Sequence, residues 1–144
     1  MPLGLGSSAP QSPAHGSSKC RVAICDDVAT FRQLLTTIFK WEPGFEVVGE
    51  AANGREAIEL AVRTQPDVMI LDIAMPIMDG IEALPEILKA APGTRVLILT
   101  AFGSERIRAQ ALRAGASGYL EKGATPTALV AAVRAAAEGA REPA

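Results

Sequence analysis

The sequence has 144 residues, of which 49% are apolar and 21% are charged, and its formal net charge at pH 7 is −2. This length is typical of one domain. The near-neutral net charge does not indicate a basic surface for nucleic-acid binding. No apolar run approaches the roughly 20 residues that cross a bilayer. Two cysteines, Cys20 and Cys25, are too few for a disulfide scaffold or a zinc ribbon. We therefore expect a cytoplasmic protein with reduced thiols, no membrane segment and no direct DNA contact.

The two ends of the chain differ in composition from the rest. Residues 1–19 contain five Ser, three Gly and three Pro and show no periodic apolar face. Such a segment cannot bury enough apolar surface to offset the entropy lost on ordering, and it lacks the regions of a secretory signal. We predict a disordered tail over residues 1–19, a folded domain over 20–138, and a frayed end or the start of a linker over 139–144.

Short apolar runs alternate with helical patterns through the folded part. Five runs predict β-strands, at residues 21–25, 45–49, 68–71, 96–99 and 117–120. The spacing i, i+3, i+4, i+7 predicts a first helix with a buried face made of Phe31, Leu34, Leu35 and Ile38. Asn53 followed by Glu56 is typical of a capping pair at the start of a second helix, whose buried stripe is Ala57, Leu60 and Ala61.

Three further helices are predicted after the third strand. A helix over residues 81–90 contains Pro85, which we expect to kink it or delay its start because proline lacks a backbone donor. Ser104 is expected to cap the next helix, and Gly115 to end it in the left-handed conformation. The dipeptide Thr125-Pro126 predicts the start of the last helix, with a buried side made of Leu129, Ala132, Val133 and Ala136.

Alternation of five strands with five helices is typical of the α/β class. Several of the predicted strands are apolar at every position, as expected when helices cover both faces of a parallel sheet. We therefore predict a doubly wound α/β fold with a parallel sheet and right-handed crossovers. In such folds the functional crevice lies beyond the carboxyl ends of the strands.

Charged and hydroxyl residues stand where four of the strands end. Asp26 and Asp27 follow the first strand and Asp72 the third, whereas Thr100 ends the fourth strand and Lys122 follows the fifth. If these strands are neighbours, the carboxylates meet at one rim, where they repel each other unless a cation is bound. Oxygen ligands of this kind suit Mg²⁺. A carboxylate beside Mg²⁺ and an ammonium group is placed to attack phosphorus.

Each of these residues also has an ordinary structural explanation. Two aspartates after a strand often form a turn or a helix cap, and a single aspartate such as Asp72 is more often a cap than a ligand. Thr100 taken alone more often caps a helix, and Lys122 taken alone is usually a solvated charge. It is their joint placement at the ends of four strands that favours a functional site.

The sequence resembles the receiver domain of bacterial two-component response regulators over about residues 20–138. The matching segments are Asp26-Asp27, DIAMPIMDG at residues 72–80, Thr100-Ala101 and YLEK at residues 119–122. The run ALRAGASGYL at residues 111–120 is most similar to the LuxR/NarL-type subfamily. The resemblance implies a flavodoxin-like receiver fold, with five strands in the order 2-1-3-4-5 and five helices.

The resemblance also implies the chemistry of the site. Asp72 would be the phosphoacceptor, receiving a phosphoryl group from a sensor histidine kinase. Mg²⁺ would be held by Asp26, Asp27, Asp72 and the backbone carbonyl of Ala74. The domain would then be a signalling switch, not an enzyme for outside substrates, because it would catalyse only its own phosphorylation and dephosphorylation.

Further residues are assigned by the same resemblance. Lys122, Thr100 and Ala101 would bind the phosphoryl group, and Thr100 together with Tyr119 would switch position. Their movement would repack the surface of the fourth helix, fifth strand and fifth helix, and phosphorylation would promote a homodimer. One departure is Gly123, which stands where many members carry a cis-proline, so the geometry of the Lys122–Gly123 peptide bond is left open.

Alternatives to the receiver function differ in the residues and segments that they require. LuxR/NarL-type regulators continue into a DNA-binding domain, so we expect transcription control through an output domain absent from this chain; the alternative is a stand-alone receiver acting by protein–protein interaction. An aspartate-nucleophile phosphatase needs a second acid two residues after the nucleophile, where this chain has Ala74. A nucleotide or flavin domain would carry G-x-G-x-x-G after the first strand, which is missing here. A degenerate receiver would lack an aspartate or the lysine.

Overall fold

The computed structural model describes residues 19–139, and within them strands and helices alternate regularly. The strands are β1 (Cys20–Cys25), β2 (Phe45–Ala51), β3 (Val68–Leu71), β4 (Arg95–Thr100) and β5 (Gly118–Glu121). The helices are α1 (Ala29–Trp41), α2 (Gly54–Thr64), α3 (Gly80–Ala90), α4 (Glu105–Arg113) and α5 (Pro126–Ala137). The tail predicted for residues 1–19 and the end predicted for residues 139–144 lie outside the described residues, except for residues 19 and 139 themselves.

The five strands form one parallel sheet in the order β2-β1-β3-β4-β5, which confirms the predicted topology. Alternate strand residues enter two apolar clusters. Ala23 and Cys25 face α2, α3 and α4 on one side of the sheet, whereas Val22 and Ile24 face α1 and α5 on the other. Burial on both faces explains why the strands are continuously apolar.

Local capping signals identified from the sequence form as predicted. The Asn53 side chain accepts a hydrogen bond from the Glu56 amide at 2.9 Å. The Ser104 hydroxyl accepts from the Ile107 amide at 3.1 Å, and Thr125 caps α5 with proline in its first turn. These caps satisfy amide donors that have no partner within the helix.

The buried face of α1 differs from the predicted one. Leu35 and Phe39 are its buried residues, whereas Leu34, predicted to be buried, is 52% exposed. The ring of Phe39 packs edge-on against Phe45 of β2, with ring centroids 5.1 Å apart. Phe31 and Ile38, which were also predicted for this face, pack partly buried against the same cluster. The structure therefore differs from the prediction in exposing Leu34 and burying Phe39.

The start of α3 lies within one residue of the predicted range 81–90, but the delay expected from Pro85 does not occur. The helix begins at Gly80 and continues through Pro85, so the proline does not delay it. A capping box sets this start: Asp79 accepts from the Glu82 amide at 2.8 Å, and Glu82 accepts from the Asp79 amide at 3.2 Å. None of the helices formed by residues 19–139 is long and apolar enough to cross a membrane.

Candidate functional site

Two buried aspartates meet at the carboxyl end of the sheet. Asp26 follows β1 and Asp72 follows β3, and these strands are hydrogen-bonded neighbours. The Asp72 amide donates to the Cys25 carbonyl at 2.9 Å, which fixes the two strand ends side by side. Asp26 is 2% and Asp72 is 4% exposed. The predicted convergence of these two residues is therefore present.

A third carboxylate completes an acidic cluster. Asp26, Asp27 and Asp72 each offer one carboxylate oxygen, and these oxygens lie within 4.8 Å of one another. Asp27 is exposed, so the cluster opens to solvent on one side. Hard oxygen donors on an open rim fit Mg²⁺, which usually keeps several water ligands beside one or two carboxylates. The donor set thus fits the cation implied by the sequence.

Lys122 reaches both buried carboxylates from the loop after β5. Its Nζ lies 2.6 Å from Asp26 Oδ2 and 3.2 Å from Asp72 Oδ2. Its backbone amide donates to the Thr100 carbonyl at 3.0 Å, which continues the pairing of β4 with β5. The ammonium also lies 4.4 Å from the centre of the Phe31 ring, an arrangement that favours the charged form. Lys122 therefore supplies positive charge at the centre of the rim.

The charges at the rim are incompletely balanced. Burial, followed by the Asp26 charge, raises the pKa of Asp72, although Lys122 opposes the shift. Burial alone would lower the pKa of Lys122, but its hydrogen bond with Asp26 and the charge of Asp72 outweigh this and raise it. The rim thus holds one ammonium group and three carboxylates, and the remaining negative charge favours binding of a divalent cation.

Neighbouring residues position the carboxylates. Asp26 Oδ1 accepts from the Val28 amide at 2.8 Å, and the Asp26 carbonyl accepts from Arg32 Nη1 at 2.7 Å. Arg32 in turn pairs with Glu50 at 3.0 Å. No sequence pattern indicated Arg32, because its partner Glu50 lies 18 residues away and no local pattern connects them.

The backbone of Gly80 lies in close contact with the backbone of Asp72 and Ile73. The Gly80 amide donates to the Ile73 carbonyl at 2.9 Å. A Cβ at position 80 would overlap the Asp72 carbonyl oxygen and lie 3.0 Å from the carbonyl carbon. Glycine is therefore required where the start of α3 packs onto the strand end that carries Asp72.

The remaining predicted site residues lie around this centre. Thr100 is 1% exposed at the end of β4, and its Oγ1 accepts from the Phe102 amide at 3.4 Å. Ala101 and Ala74 are exposed in the loops that follow β4 and β3. The peptide bond between Lys122 and Gly123 is trans, since the described residues contain no cis peptide bond.

Tyr119 lies on β5 with its ring directed into the protein. The ring packs against the apolar cluster beneath α2, α3 and α4, and its hydroxyl lies next to Gly103. Burial and then the Glu121 charge raise the pKa of this hydroxyl, whereas a backbone hydrogen bond from Ser104 lowers it. Tyr119 thus connects β5 with the loop between β4 and α4.

A five-stranded sheet in this order, with an acidic cluster and a lysine at its carboxyl edge, defines a phosphoacceptor receiver. Residues 22–134 match the response regulator receiver domain family, and the chain belongs to this family. Receiver domains act as phosphoacceptor switches, bind Mg²⁺ at an acidic pocket and interact with histidine kinases. The family predicted from the sequence is confirmed.

Individual relatives include transcription and chemotaxis proteins. The chain is 42% identical over 121 residues to the transcriptional regulatory protein YxjL of Bacillus subtilis (strain 168), covering 84% of this chain and 56% of that protein. It is 40% identical over 113 residues to the chemotaxis protein CheY of Thermotoga maritima, covering 78% of this chain and 93% of CheY. The chain therefore spans about half of the first relative and nearly all of the second.

Solved structures share both the fold and the sequence pattern. A LuxR-family response regulator from Aurantimonas sp. SI85-9A1 superposes with a TM-score of 0.82 at 35% identity, covering 86% of this chain and 89% of that one. CheY in the CheX-CheY-BeF3-Mg complex from Borrelia burgdorferi gives a TM-score of 0.75 at 32% identity, covering 80% and 87%. The LuxR-family match agrees with the subfamily expected from residues 111–120.

Proposed function

We propose that Asp72 accepts a phosphoryl group from a sensor histidine kinase and that this chain thereby acts as a phosphorylation-controlled switch. One observation carries the proposal: a single lysine, Lys122, lies 2.6 Å and 3.2 Å from two buried aspartates that share a rim with a third. The rim holds three carboxylates and one lysine ammonium group, so carboxylate charge is left to bind a cation, and the cation and Lys122 could then meet an incoming phosphoryl group.

Mg²⁺ would be held by Asp26, Asp27, Asp72 and the backbone carbonyl of Ala74. When bound, the cation supplies positive charge that offsets the charge developing on the transferring oxygens. The carboxylate oxygens within 4.8 Å of one another support this assignment. Similarity to the CheY of the CheX-CheY-BeF3-Mg complex supports it further.

The protein's own groups have defined tasks in the transfer. A carboxylate oxygen of Asp72 forms a bond to phosphorus as the phosphorus–nitrogen bond of the donor phosphohistidine breaks, and the electron pair of that bond stays on the imidazole. Lys122 binds an oxygen of the transferred group by turning from Asp26 towards it. Ala101, which has a small side chain, leaves room beside the modified aspartate.

Thr100 and Tyr119 would carry the signal to the surface of α4, β5 and α5. The hydrogen bond that holds the Thr100 hydroxyl is long, at 3.4 Å, so little free energy opposes rotation towards a phosphoryl oxygen. Tyr119 lies on β5, which contacts α4, and its partly buried ring packs against the apolar cluster that includes residues of that helix. A repacked surface of this kind would promote homodimer formation.

For the whole protein we favour transcription control through an output domain, in the cytoplasm and without DNA contact by the receiver itself. Support comes from YxjL, a transcriptional regulatory protein of which this chain spans 56%. The second candidate is a receiver that acts alone by protein–protein contact. The 93% coverage of the chemotaxis protein CheY favours that alternative.

Labelling with acetyl phosphate and Mg²⁺ tests the phosphoacceptor assignment. We expect one phosphoryl group per chain by intact-mass spectrometry, with loss of labelling in Asp72→Asn or after chelation of Mg²⁺. Asp79→Asn is the matched control, because asparagine still caps α3 and Asp79 lies outside the acidic cluster. Mg²⁺-dependent labelling that persists in Asp72→Asn would contradict the proposal.

A further inference from the structure

Gly103, in the loop between β4 and α4, lies against the hydroxyl of Tyr119. A Cβ placed on Gly103 would overlap the Tyr119 hydroxyl oxygen and would lie 2.8 Å from Tyr119 Cζ. It would also lie 3.3 Å from Glu121 Oε2. Real Cβ atoms essentially never come within 3.0 Å of another heavy atom, so the two contacts with Tyr119 make every residue except glycine incompatible with the observed position of its ring.

The backbone of Gly103 does not itself require glycine. The glycines with positive φ among residues 19–139 are Gly44, Gly115 and Gly139, and Gly103 is not one of them. Any L-residue can therefore adopt its backbone conformation. The space occupied by Tyr119 is what demands glycine at this position.

We propose that Gly103 is the positioning residue that sets where the Tyr119 ring lies, by leaving room for its hydroxyl beneath the loop between β4 and α4. This inference rests on the proposed function only in treating Tyr119 as a switch residue. A side chain at position 103 displaces the ring outward and prevents Tyr119 from responding to changes at Asp72. The atoms nearest to position 103 belong to Tyr119 and Glu121, so the acidic cluster keeps its arrangement.

The charged groups around Tyr119 belong to three parts of the structure. Glu121 is on β5, while Glu105 and Arg108 are on α4, and the backbone of Ser104 is at the N-cap of that helix. Glu105 and Arg108 pair with each other at 3.2 Å. The Tyr119 ring is the group that a side chain at position 103 meets at the shortest distance, so Tyr119 itself is the reporter to follow.

Tyrosine spectroscopy gives a direct test, because Tyr119 is the only tyrosine in the sequence. In the wild-type chain we expect NMR contacts between the Tyr119 ring protons and the Gly103 Hα protons. Gly103→Ala should lose these contacts, shift the ring signals to those of an exposed tyrosine, and make the ring react faster with tetranitromethane. The control is Gly93→Ala, because a Cβ there meets nothing within 4 Å. Ring signals in Gly103→Ala that match the wild type would overturn the inference.

A second pair of variants keeps the test informative if Gly103→Ala is poorly stable. Gly103→Ala should lower the midpoint of urea unfolding when Tyr119 is present and leave it unchanged in a Tyr119→Ala background. An equal loss in both backgrounds would mean that the loop needs glycine for its own reasons, and the inference would fail.

Failure of this inference can be distinguished from failure of the proposed function. Acetyl phosphate should label Gly103→Ala as fast as the wild type, while beryllofluoride with Mg²⁺ should move the Tyr119 signals only in the wild type. Absent labelling of the wild-type chain would refute the phosphoacceptor assignment. Labelling of both chains with the same Tyr119 response would refute the role of Gly103.

Discussion

The Nζ atom of Lys122 lies closer to Asp26, at 2.6 Å, than to Asp72, at 3.2 Å. The lysine therefore compensates the charge of Asp26 more completely than that of the proposed phosphoacceptor. Asp72 is left as a buried carboxylate that is only partly neutralised, which agrees with its raised pKa. A carboxylate in this condition is destabilising for the fold, and a carboxyl group with such a perturbed pKa at an open rim is typical of a functional site.

Replacing Asp72 by asparagine should stabilise the domain when divalent cations are removed. Because the folded-state pKa of Asp72 is raised, its stabilising contribution is complete below the ordinary value of 3.8 and is lost as the pH rises through the folded-state pKa. Above that pKa the charged side chain therefore costs stability. We expect Asp72→Asn to raise the free energy of unfolding in chelator at pH values above the folded-state pKa of Asp72, measured by urea denaturation.

Addition of Mg²⁺ should raise the free energy of unfolding of the wild-type chain relative to that of Asp72→Asn. The wild-type chain should gain more stability from Mg²⁺ than Asp72→Asn, because a bound ligand adds about 2.7 kcal/mol at a hundred times its dissociation constant. The interpretation would be wrong if Asp72→Asn were less stable than the wild type in chelator.

Replacing Ile77 by asparagine should also stabilise the fold. Ile77 has φ 69°, in the left-handed region, where a β-branched residue is strained. Its side chain is 76% exposed, so little packing is lost on replacement. Asparagine tolerates this conformation, and we expect a gain of about 1 kcal/mol in the free energy of unfolding. Ile77→Val keeps the strain and should show no gain; equal effects of both variants would argue against a backbone cause.

Replacing Pro85 by alanine should increase the stability of α3. It lies exposed within α3, which continues from Gly80 to Ala90 despite the missing backbone donor. Alanine restores that donor, and we expect Pro85→Ala to raise the free energy of unfolding by up to about 3 kcal/mol. Thermal unfolding followed by circular dichroism measures this. Pro126→Ala, in the first turn of α5 where proline is tolerated, should give a much smaller change.

The thiol of Cys20 should react slowly in the folded domain. Burial and then the Asp67 charge raise its pKa from 9.0 to about 11, against a lowering effect of Arg134. At pH 9 the thiolate fraction is then about fifty times smaller than in the unfolded chain. Stability that depends on the neutral thiol is complete below pH 9 and is lost as the pH rises through 11.

Alkylation with iodoacetamide at pH 9 measures this difference. In a Cys25→Ala background, which leaves one thiol, labelling should be slow in buffer and fast in urea. A Cys20→Ser, Cys25→Ala variant should remain unlabelled. Equal rates in buffer and urea would show that Cys20 is neither buried nor shifted in the folded domain.

Local sequence patterns predicted the elements and most of their ends. The strands follow from continuous apolar runs, and the caps at Asn53, Ser104 and Thr125 form because each joins a side chain to an amide three residues away. Such contacts depend only on residue type and on a short spacing along the chain, and both can be read from the sequence. The delay expected from Pro85 in α3 does not occur, because the Asp79–Glu82 capping box sets the start of the helix ahead of the proline.

The sequence by itself determined the α/β alternation and placed Asp26, Asp27, Asp72, Thr100 and Lys122 at strand ends. Only the tertiary structure decided that Lys122 lies nearer to Asp26 than to Asp72, that α1 buries Phe39 and exposes Leu34, and that Gly103 makes room for Tyr119. Each of these three findings depends on contacts between residues of different helices, strands or loops. Their distances follow from how the sheet and helices pack, which no pattern within one element records.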